Sequence, residues 1–262
     1  NVPVILVHGF YGSRHNWDIF PQIIADHARS VVHALDMRNH GESEDSSEMH
    51  YAELAMDIDR YMQDRGMTKA VLVGHSMGAK AAMTMALHPN PQVQGRVHSL
   101  VILDTPPRPI FVPENFHNCD LATRLIEQND IRSIPEMDKA LGIIFPDQYL
   151  RDYFIQSCKS SPTTGTLTTG INANVMSSSF EELADFPYPR LPYKEFYGKV
   201  TFMVGTSSAI MRAQDEKLFS MFFPRSKTVS LEGGHWVHCQ HPKTFISLVS
   251  DACKIDTRMA RL

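Results

Sequence analysis

The residues best suited to chemistry are Gly74-His75-Ser76-Met77-Gly78, which fall between a β-branched apolar run and a segment with helical spacing. A serine at the apex of a strand-to-helix turn needs small neighbours two residues away on each side, because side chains there collide with the flanking strand and helix. Glycines meet that need. The hydroxyl then stands at the carboxyl end of a sheet, where free amides at the helix N-terminus face a developing oxyanion. The plainer alternative is a glycine-rich turn that holds a capping serine. A serine alkoxide is inaccessible near neutral pH without a base, so a nucleophilic Ser76 requires a histidine. Among 13 histidines, position selects His235, because Gly233-Gly234 follows the last expected strand and permits the sharp turn that brings an imidazole over the sheet end. His238 and His241 compete, and with His235 they raise the possibility of a metal site. The three lie at three-residue intervals with no acidic ligand nearby and no zinc-type spacing, so no metal is expected.

A third group must orient the imidazole. The segment after Val204 reads Gly205-Thr206-Ser207-Ser208-Ala209-Ile210-Met211 and holds no carboxylate. Asp104 ends the preceding expected strand, 28 residues after Ser76, and is favoured. Asp215, within an expected helix whose neighbours suggest a solvated surface, remains the competitor. Apart from catalysis, Asp104 could cap the turn into Thr105-Pro106-Pro107. Two backbone amides are expected to stabilise the oxyanion, that of Met77 after the serine and that of Phe10 in the His8-Gly9-Phe10 loop. His8 itself is expected to order this loop by hydrogen bonding rather than to transfer protons.

These residues must be positioned by alternating strands and helices. Strands are expected over Val4 to Val7, Val31 to Leu35, Val71 to Val73 and Val97 to Leu103. Helices are expected over Asn16 to Arg29, Tyr51 to Arg65 (closed by Gly66) and Met77 to His88 (stopped by Pro89). From Thr105 to Pro192 the alternation lapses into prolines, aromatics and short helical patterns with no convincing β run, and Ser160 to Thr169 looks like a polar loop. Alternation resumes with a strand over Lys199 to Val204, a helix over Ala213 to Phe223, a strand over Thr228 to Leu231 and a helix over Pro242 to Lys254. The expected fold class is α/β, a mostly parallel sheet covered by helices on both faces. Residues 1–104 and 193–255 form the core, 105–192 an inserted helical cap and 256–262 a tail. The cap carries Phe111, Phe116, Phe145, Tyr149, Tyr153, Phe154, Phe180 and Phe186, some of which are expected to line an apolar acyl pocket above Ser76.

Composition narrows the partners. With 262 residues, 43% of them apolar, the chain can bury a sizeable core, and a net charge of -4 without basic clusters leaves no nucleic-acid footprint. No apolar window approaches a membrane span, and the most apolar stretch, Ala79 to Leu87, is interrupted by Lys80. Cys119, Cys158, Cys239 and Cys253 lack metal or disulfide spacing, so reduced thiols and an intracellular compartment are expected. The chain starts at Asn1 without a methionine, and any targeting segment is expected to lie outside it. A small-molecule substrate is expected, and the oligomeric state is left open.

The segments VHGFYGS (Val7 to Ser13), LDMRNHGES (Leu35 to Ser43), VGHSMGAK (Val73 to Lys80), LD (Leu103 and Asp104), FFPRS (Phe222 to Ser226) and GGHWVH (Gly233 to His238) together resemble the α/β-hydrolase superfamily. The chain is most similar to the branch that contains α/β-hydrolase domain-containing protein eleven, small bacterial esterases and the fungal mitochondrial ethanol acetyltransferases. The likeness covers both halves of the sheet and is weak across the cap. It implies a Ser-Asp-His triad whose aspartate follows the strand before the cap, in agreement with Asp104. It implies cofactor-independent esterase or thioesterase activity, acyl transfer to ethanol in the fungal members, and a mitochondrial address. Two departures stand out. The first two strands usual in the fold are absent, and histidine precedes Ser76 where the acetyltransferases often have tyrosine, which favours plain ester hydrolysis. Arg38 to Gly41 is the most specific marker of the branch and is read as a turn that acts by packing. A non-catalytic binding protein that keeps the fold is the competing class.

Overall fold

The computed structural model describes residues 1–110, 114–188 and 193–254. In the first half, short apolar runs form β1 (Val4–Val7), β2 (Val32–Leu35), β3 (Ala70–His75) and β4 (Val97–Leu103), joined by α1 (Phe20–Ala28), α2 (Tyr51–Asp64), α3 (Met77–Ala86) and α4 (Pro91–Gly95). Five helices follow: α5 (Glu114–Gln128), α6 (Ile134–Leu141), α7 (Gln148–Ser157), α8 (Ala173–Ser178) and α9 (Phe180–Ala184), with β5 (Lys159–Ser160) and β6 (Leu167–Thr168) between α7 and α8. The described chain ends with β7 (Lys199–Gly205), α10 (Asp215–Phe222), β8 (Ser226–Leu231), α11 (Val237–Gln240) and α12 (Pro242–Ala252).

Six strands form one parallel sheet in the order β2-β1-β3-β4-β7-β8. Because side chains alternate along a strand, each strand feeds two cores. Val4, Leu6, Val71, Val73, Val101 and Leu103 pack with Phe20 and Ile24 of α1 and Phe245 and Val249 of α12. Ile5, Val7, Leu72, Leu100, Ile102 and Phe202 pack on the other face with Leu54 and Ile58 of α2, Met83 of α3 and Phe219 of α10. Near-continuous apolar runs are what a parallel sheet covered on both faces requires.

Local chemistry moves some boundaries. The helix expected from Asn16 is interrupted at Asp18, whose φ of 45° breaks it into a 3-10 turn (Arg14–Trp17) and α1. Ser13 caps that turn by accepting from the His15 amide, while its own amide donates to Asn16 Oδ1 at 2.7 Å. The expected polar loop over Ser160 to Thr169 is a tight antiparallel hairpin, with Lys159 opposite Thr168 and Ser160 opposite Leu167. Gly165 at φ 72° makes its turn, and the two-residue strands are too short for any hydrophobic period. The α5–α9 region is tied to the sheet side by polar contacts as well as packing. Tyr51 donates to the Leu183 carbonyl at 2.6 Å, and Asn16 Nδ2 to the Tyr153 carbonyl at 2.8 Å. Among the described residues no helix is long and apolar enough to cross a membrane. Phe111 and the expected tail 256–262 lie outside the described residues.

Candidate active site

Ser76 occupies the single residue between β3 and α3, at φ 54° and ψ -117°. The flanking glycines are there for steric reasons. A Cβ on Gly74 would lie 2.5 Å from Ala79 Cα, and one on Gly78 would lie 2.2 Å from the Val7 carbonyl oxygen. Ser76, Met77 and Phe10 line one narrow cavity with Lys80, Phe116 and Leu183. Phe116 of α5 stacks on Phe10 at 4.2 Å between ring centroids. Neither the Phe10 nor the Met77 amide has an acceptor among the described residues.

Asp104 follows β4 at φ 49° and is wholly buried. Its Oδ1 accepts the Gly205 amide at 2.9 Å, and its Oδ2 accepts both the Ser208 hydroxyl at 2.6 Å and His235 Nδ1 at 2.8 Å. A carboxylate can only accept, so this network places the imidazole proton on Nδ1 and leaves Nε2 free to act as a base. The structure thus brings Asp104 and His235 together, and puts Ser76 with Phe10 and Met77. β7 and the segment after it lack an acid, yet they supply two of the three donors that hold Asp104, the Gly205 amide at the strand's end and the Ser208 hydroxyl beyond it. Sequence reasoning saw in Gly205 and Ser208 only the missing carboxylate. The signal available was a serine placed just beyond the strand that neighbours β4.

Asp215 is not the solvated helix residue expected from its neighbours. It is fully buried, and Arg108 grips both oxygens at 2.6 and 2.9 Å while the Arg212 amide donates to Oδ2 at 2.8 Å. It is therefore an N-terminal anchor of α10. The sequence hid this because Arg108 lies 107 residues away along the chain.

The remaining histidines have separate tasks. His8 donates from Nδ1 to the Gly9 carbonyl at 2.8 Å and accepts the Met37 amide on Nε2 at 3.0 Å, and burial lowers its pKa. His8 therefore ties the Phe10 loop to the end of β2. His75 donates from Nε2 to the His235 carbonyl at 3.1 Å, and burial drives its pKa well down. His238 is buried and held neutral, its pKa pulled down to about 3 by desolvation. His241 Nε2 bonds the Glu232 carbonyl at 2.6 Å. Among the described residues the one cluster with metal-ligand spacing is Glu48, His50 and Glu53, which includes none of these histidines.

Arg38 to Gly41 is a turn held by polar packing. Arg38 pairs with Asp57 through Nε at 2.6 Å and Nη2 at 2.8 Å, and Asn39 Oδ1 accepts the Ser46 amide at 2.9 Å. The His40 ring lies 4.9 Å from that of His8. A Cβ on Gly41 would fall 2.3 Å from the Asp36 carboxyl carbon.

Lys80, one helical turn after Ser76, stands in the sequence only as an interruption of an apolar stretch. It is buried, donates to the carbonyls of Ala184 and Asp185 at 2.8 Å each, and lies 5.5 Å from the Tyr51 ring centre. Burial pulls its pKa down to about 7. A neutral amine still has two N–H donors, enough for both carbonyls.

Residues 2–133, half of the chain, match a family model described as the alpha/beta hydrolase fold. The chain belongs to the α/β-hydrolase family and is a hydrolase by class. Among named relatives, it is 29% identical to the sn-1-specific diacylglycerol lipase ABHD11 of Xenopus laevis, over 94% of this chain and 78% of that one. It is 26% identical to ethanol acetyltransferase 1 of Wickerhamomyces ciferrii, over 97% of this chain and 68% of that one. The solved structure of a marine microorganism esterase superposes with a TM-score of 0.83 at 24% identity, covering 96% of this chain and 95% of the other, and shares its fold.

Proposed function

We propose that the protein is a cofactor-independent serine hydrolase of short or medium acyl esters or thioesters, working through an acyl-enzyme on Ser76. The observation that carries the reading is the His235 Nδ1 to Asp104 Oδ2 bond of 2.8 Å, at the sheet end that also carries the serine turn. His235 Nε2 takes the Ser76 proton as the hydroxyl attacks the acyl carbonyl. The buried Asp104 stabilises the resulting imidazolium, and the Phe10 and Met77 amides take the oxyanion. The tetrahedral species expels the alcohol or thiol, which leaves with the proton from Nε2. Water, deprotonated by the same nitrogen, then releases the acid and restores Ser76.

Alcohol acyltransfer is the second reading, favoured by the likeness to ethanol acetyltransferase 1. It differs only in that an alcohol rather than water resolves the acyl-enzyme. We assign residues 105–192 as the cap and 1–104 with 193–255 as the core. The narrow cavity beside Ser76 is assigned as the acyl site, with Phe116 as the cap aromatic that limits it. Four unpaired thiols support a reducing intracellular compartment. A mitochondrial one rests on the resemblance to the fungal enzymes.

A fluorophosphonate probe tests the nucleophile. Covalent labelling is expected in the wild type and absent in Ser76→Ala, with turnover down by about a million-fold and the thermal transition retained. Esterase activity near wild type in Ser76→Ala refutes the reading. Analysis of products as free acid or ethyl ester, with ethanol present, separates hydrolysis from transfer.

A further inference from the structure

The short helix α9 ends in three successive carbonyls, those of Leu183, Ala184 and Asp185, and each accepts from a side chain of the helices that cover the sheet. Tyr51 Oη of α2 donates to Leu183 at 2.6 Å, and Lys80 Nζ of α3 donates to Ala184 and to Asp185 at 2.8 Å each. The Ile110 amide, beyond β4, gives Ala184 a second donor at 2.8 Å. Carbonyls in the last turn of a helix have no partner within it, so these bonds are what satisfies this helix end. Tyr51, Lys80, Leu183 and Ala184 are all buried. Four residues of this clamp, Tyr51, Lys80, Ile110 and Leu183, also line the cavity beside Ser76, whose volume is about 10 Å³, room for about one water molecule. On its other side α9 meets a cavity of about 970 Å³, lined by Phe180, Ala184, Asp185 and the exposed Glu181 and Glu182. Ile110 lines both spaces, so α9 and Ile110 form the partition between a closed space at the serine and an open one.

We propose that Tyr51 and Lys80 are specificity-determining positioning residues, whose three hydrogen bonds hold α9 against the Ser76 cavity and so restrict it to acetyl-sized acyl groups. The inference rests on Ser76 as the nucleophile and names the substrate class within that reading, esters of short acids. Neither side chain hydrogen-bonds Ser76, Asp104 or His235; both act through α9. A longer acyl chain needs space that displacement of α9 supplies. Of the other walls, Phe10, Met77 and Thr105 are buried in the turns that build the site, whereas α9 is a five-residue helix with open space beyond it. Moving it outward breaks all three bonds and turns the carbonyls toward the larger cavity, where water can replace the lost donors. A longer ester therefore reacts in proportion to the fraction of molecules in which α9 has moved, while an acetyl ester reacts without that step.

The probes are p-nitrophenyl acetate, butyrate and octanoate, with kcat/KM measured for each in the wild type, Tyr51→Phe and Lys80→Met. Tyr51→Phe removes one oxygen and is expected to raise the octanoate-to-acetate ratio by about tenfold, the scale of one lost hydrogen bond in the opening equilibrium. Lys80→Met removes two bonds and is expected to raise the ratio further. A purely structural role lowers the turnover of every ester by the same factor and leaves the ratio where it was. Opening is also read without substrate, from hydrogen exchange at the Ile110 amide, which is expected to quicken by about tenfold in Tyr51→Phe. Fluorophosphonate labelling of the same two variants, with Ser76→Ala as the blank, reads the nucleophile separately. Labelling that depends on Ser76, beside an unchanged ester ratio in Tyr51→Phe and Lys80→Met, overturns the clamp and leaves the nucleophile standing. An Ile110 amide that exchanges at the wild-type rate in both variants overturns it too. Esterase activity near wild type in Ser76→Ala instead refutes the nucleophile, and the inference with it.

Discussion

Replacement of Asp104 by asparagine separates the chemical role of this residue from its structural one. The amide keeps one acceptor oxygen and exchanges the other for an NH₂ group. If the NH₂ group takes the place of Oδ1, it faces the Gly205 amide across 2.9 Å in a fully buried site, two donors opposed, at a cost of about 1–3 kcal/mol. If it replaces Oδ2, it meets the Ser208 hydroxyl, which can rotate to accept, and His235 Nδ1, which can accept by shedding its proton. The second arrangement is easier to accommodate, and it moves the imidazole proton to Nε2, the nitrogen that must take the proton from Ser76. Turnover is therefore expected to fall by about four orders of magnitude, some 5 kcal/mol of transition-state stabilisation, with KM nearly unchanged and stability down by about 1 kcal/mol. Steady-state hydrolysis of p-nitrophenyl acetate and a thermal unfolding curve measure the two effects. Asp215→Asn is the control. It weakens the buried Arg108 pair and is expected to cost up to about 3 kcal/mol of stability while turnover per folded molecule holds. A wild-type rate in Asp104→Asn, with collapse in a folded Asp215→Asn, refutes the assignment of the acid.

Gly78→Ala places a methyl group 2.2 Å from the Val7 carbonyl oxygen; soluble, folded yield is expected to collapse, and a well-folded variant on a circular-dichroism melt refutes the steric argument. Phe116→Ala opens the cavity beside Ser76 and is expected to raise the ratio of longer-chain to acetyl ester hydrolysis several-fold, measured across a p-nitrophenyl ester series; an unchanged ratio places the acyl site elsewhere. Lys80 has a folded pKa near 7 against an ordinary 10.5, so the unfolded chain binds the extra proton between these values and stability rises with pH across that window, by at most about 1.4 kcal/mol per unit. Denaturant melts at pH 7 and pH 9.5 are expected to show this rise in the wild type and a flatter response in Lys80→Met; equal slopes exclude the effect.

How much could be read beforehand depended on how local each determinant was. β1, β3, β4 and β7 were legible because a strand buried on both faces writes itself as an apolar run. The Ser76 turn was legible because its steric needs fall within five residues. The preference for Asp104 followed from where β4 ends, a local fact. What escaped was non-local. Arg108 reaches Asp215 across the fold, and nothing in the run from Gln214 to Lys217 signals burial. Ser208 looks like a loop residue until β7 is laid beside β4. The break at Asp18 depends on one backbone angle, and the β5–β6 hairpin is too brief to carry a pattern.

Ser76 and Asp104 both hold backbone angles that side-chain-bearing residues avoid, at φ 54° and φ 49°. Each such residue raises the energy of the native state by about 1–3 kcal/mol relative to an unstrained one, against a total stability of roughly 5–15 kcal/mol for a domain. The two positions that matter most to the proposed chemistry are thus among those where this fold is least at ease. Under selection for thermal endurance alone, glycine at either position becomes an attractive substitution, and a lineage released from its substrate should lose these two residues early while the glycines around them persist. An engineer who raises the melting temperature by consensus or by screening should therefore leave positions 76 and 104 out of the library and seek the gain in the helices instead.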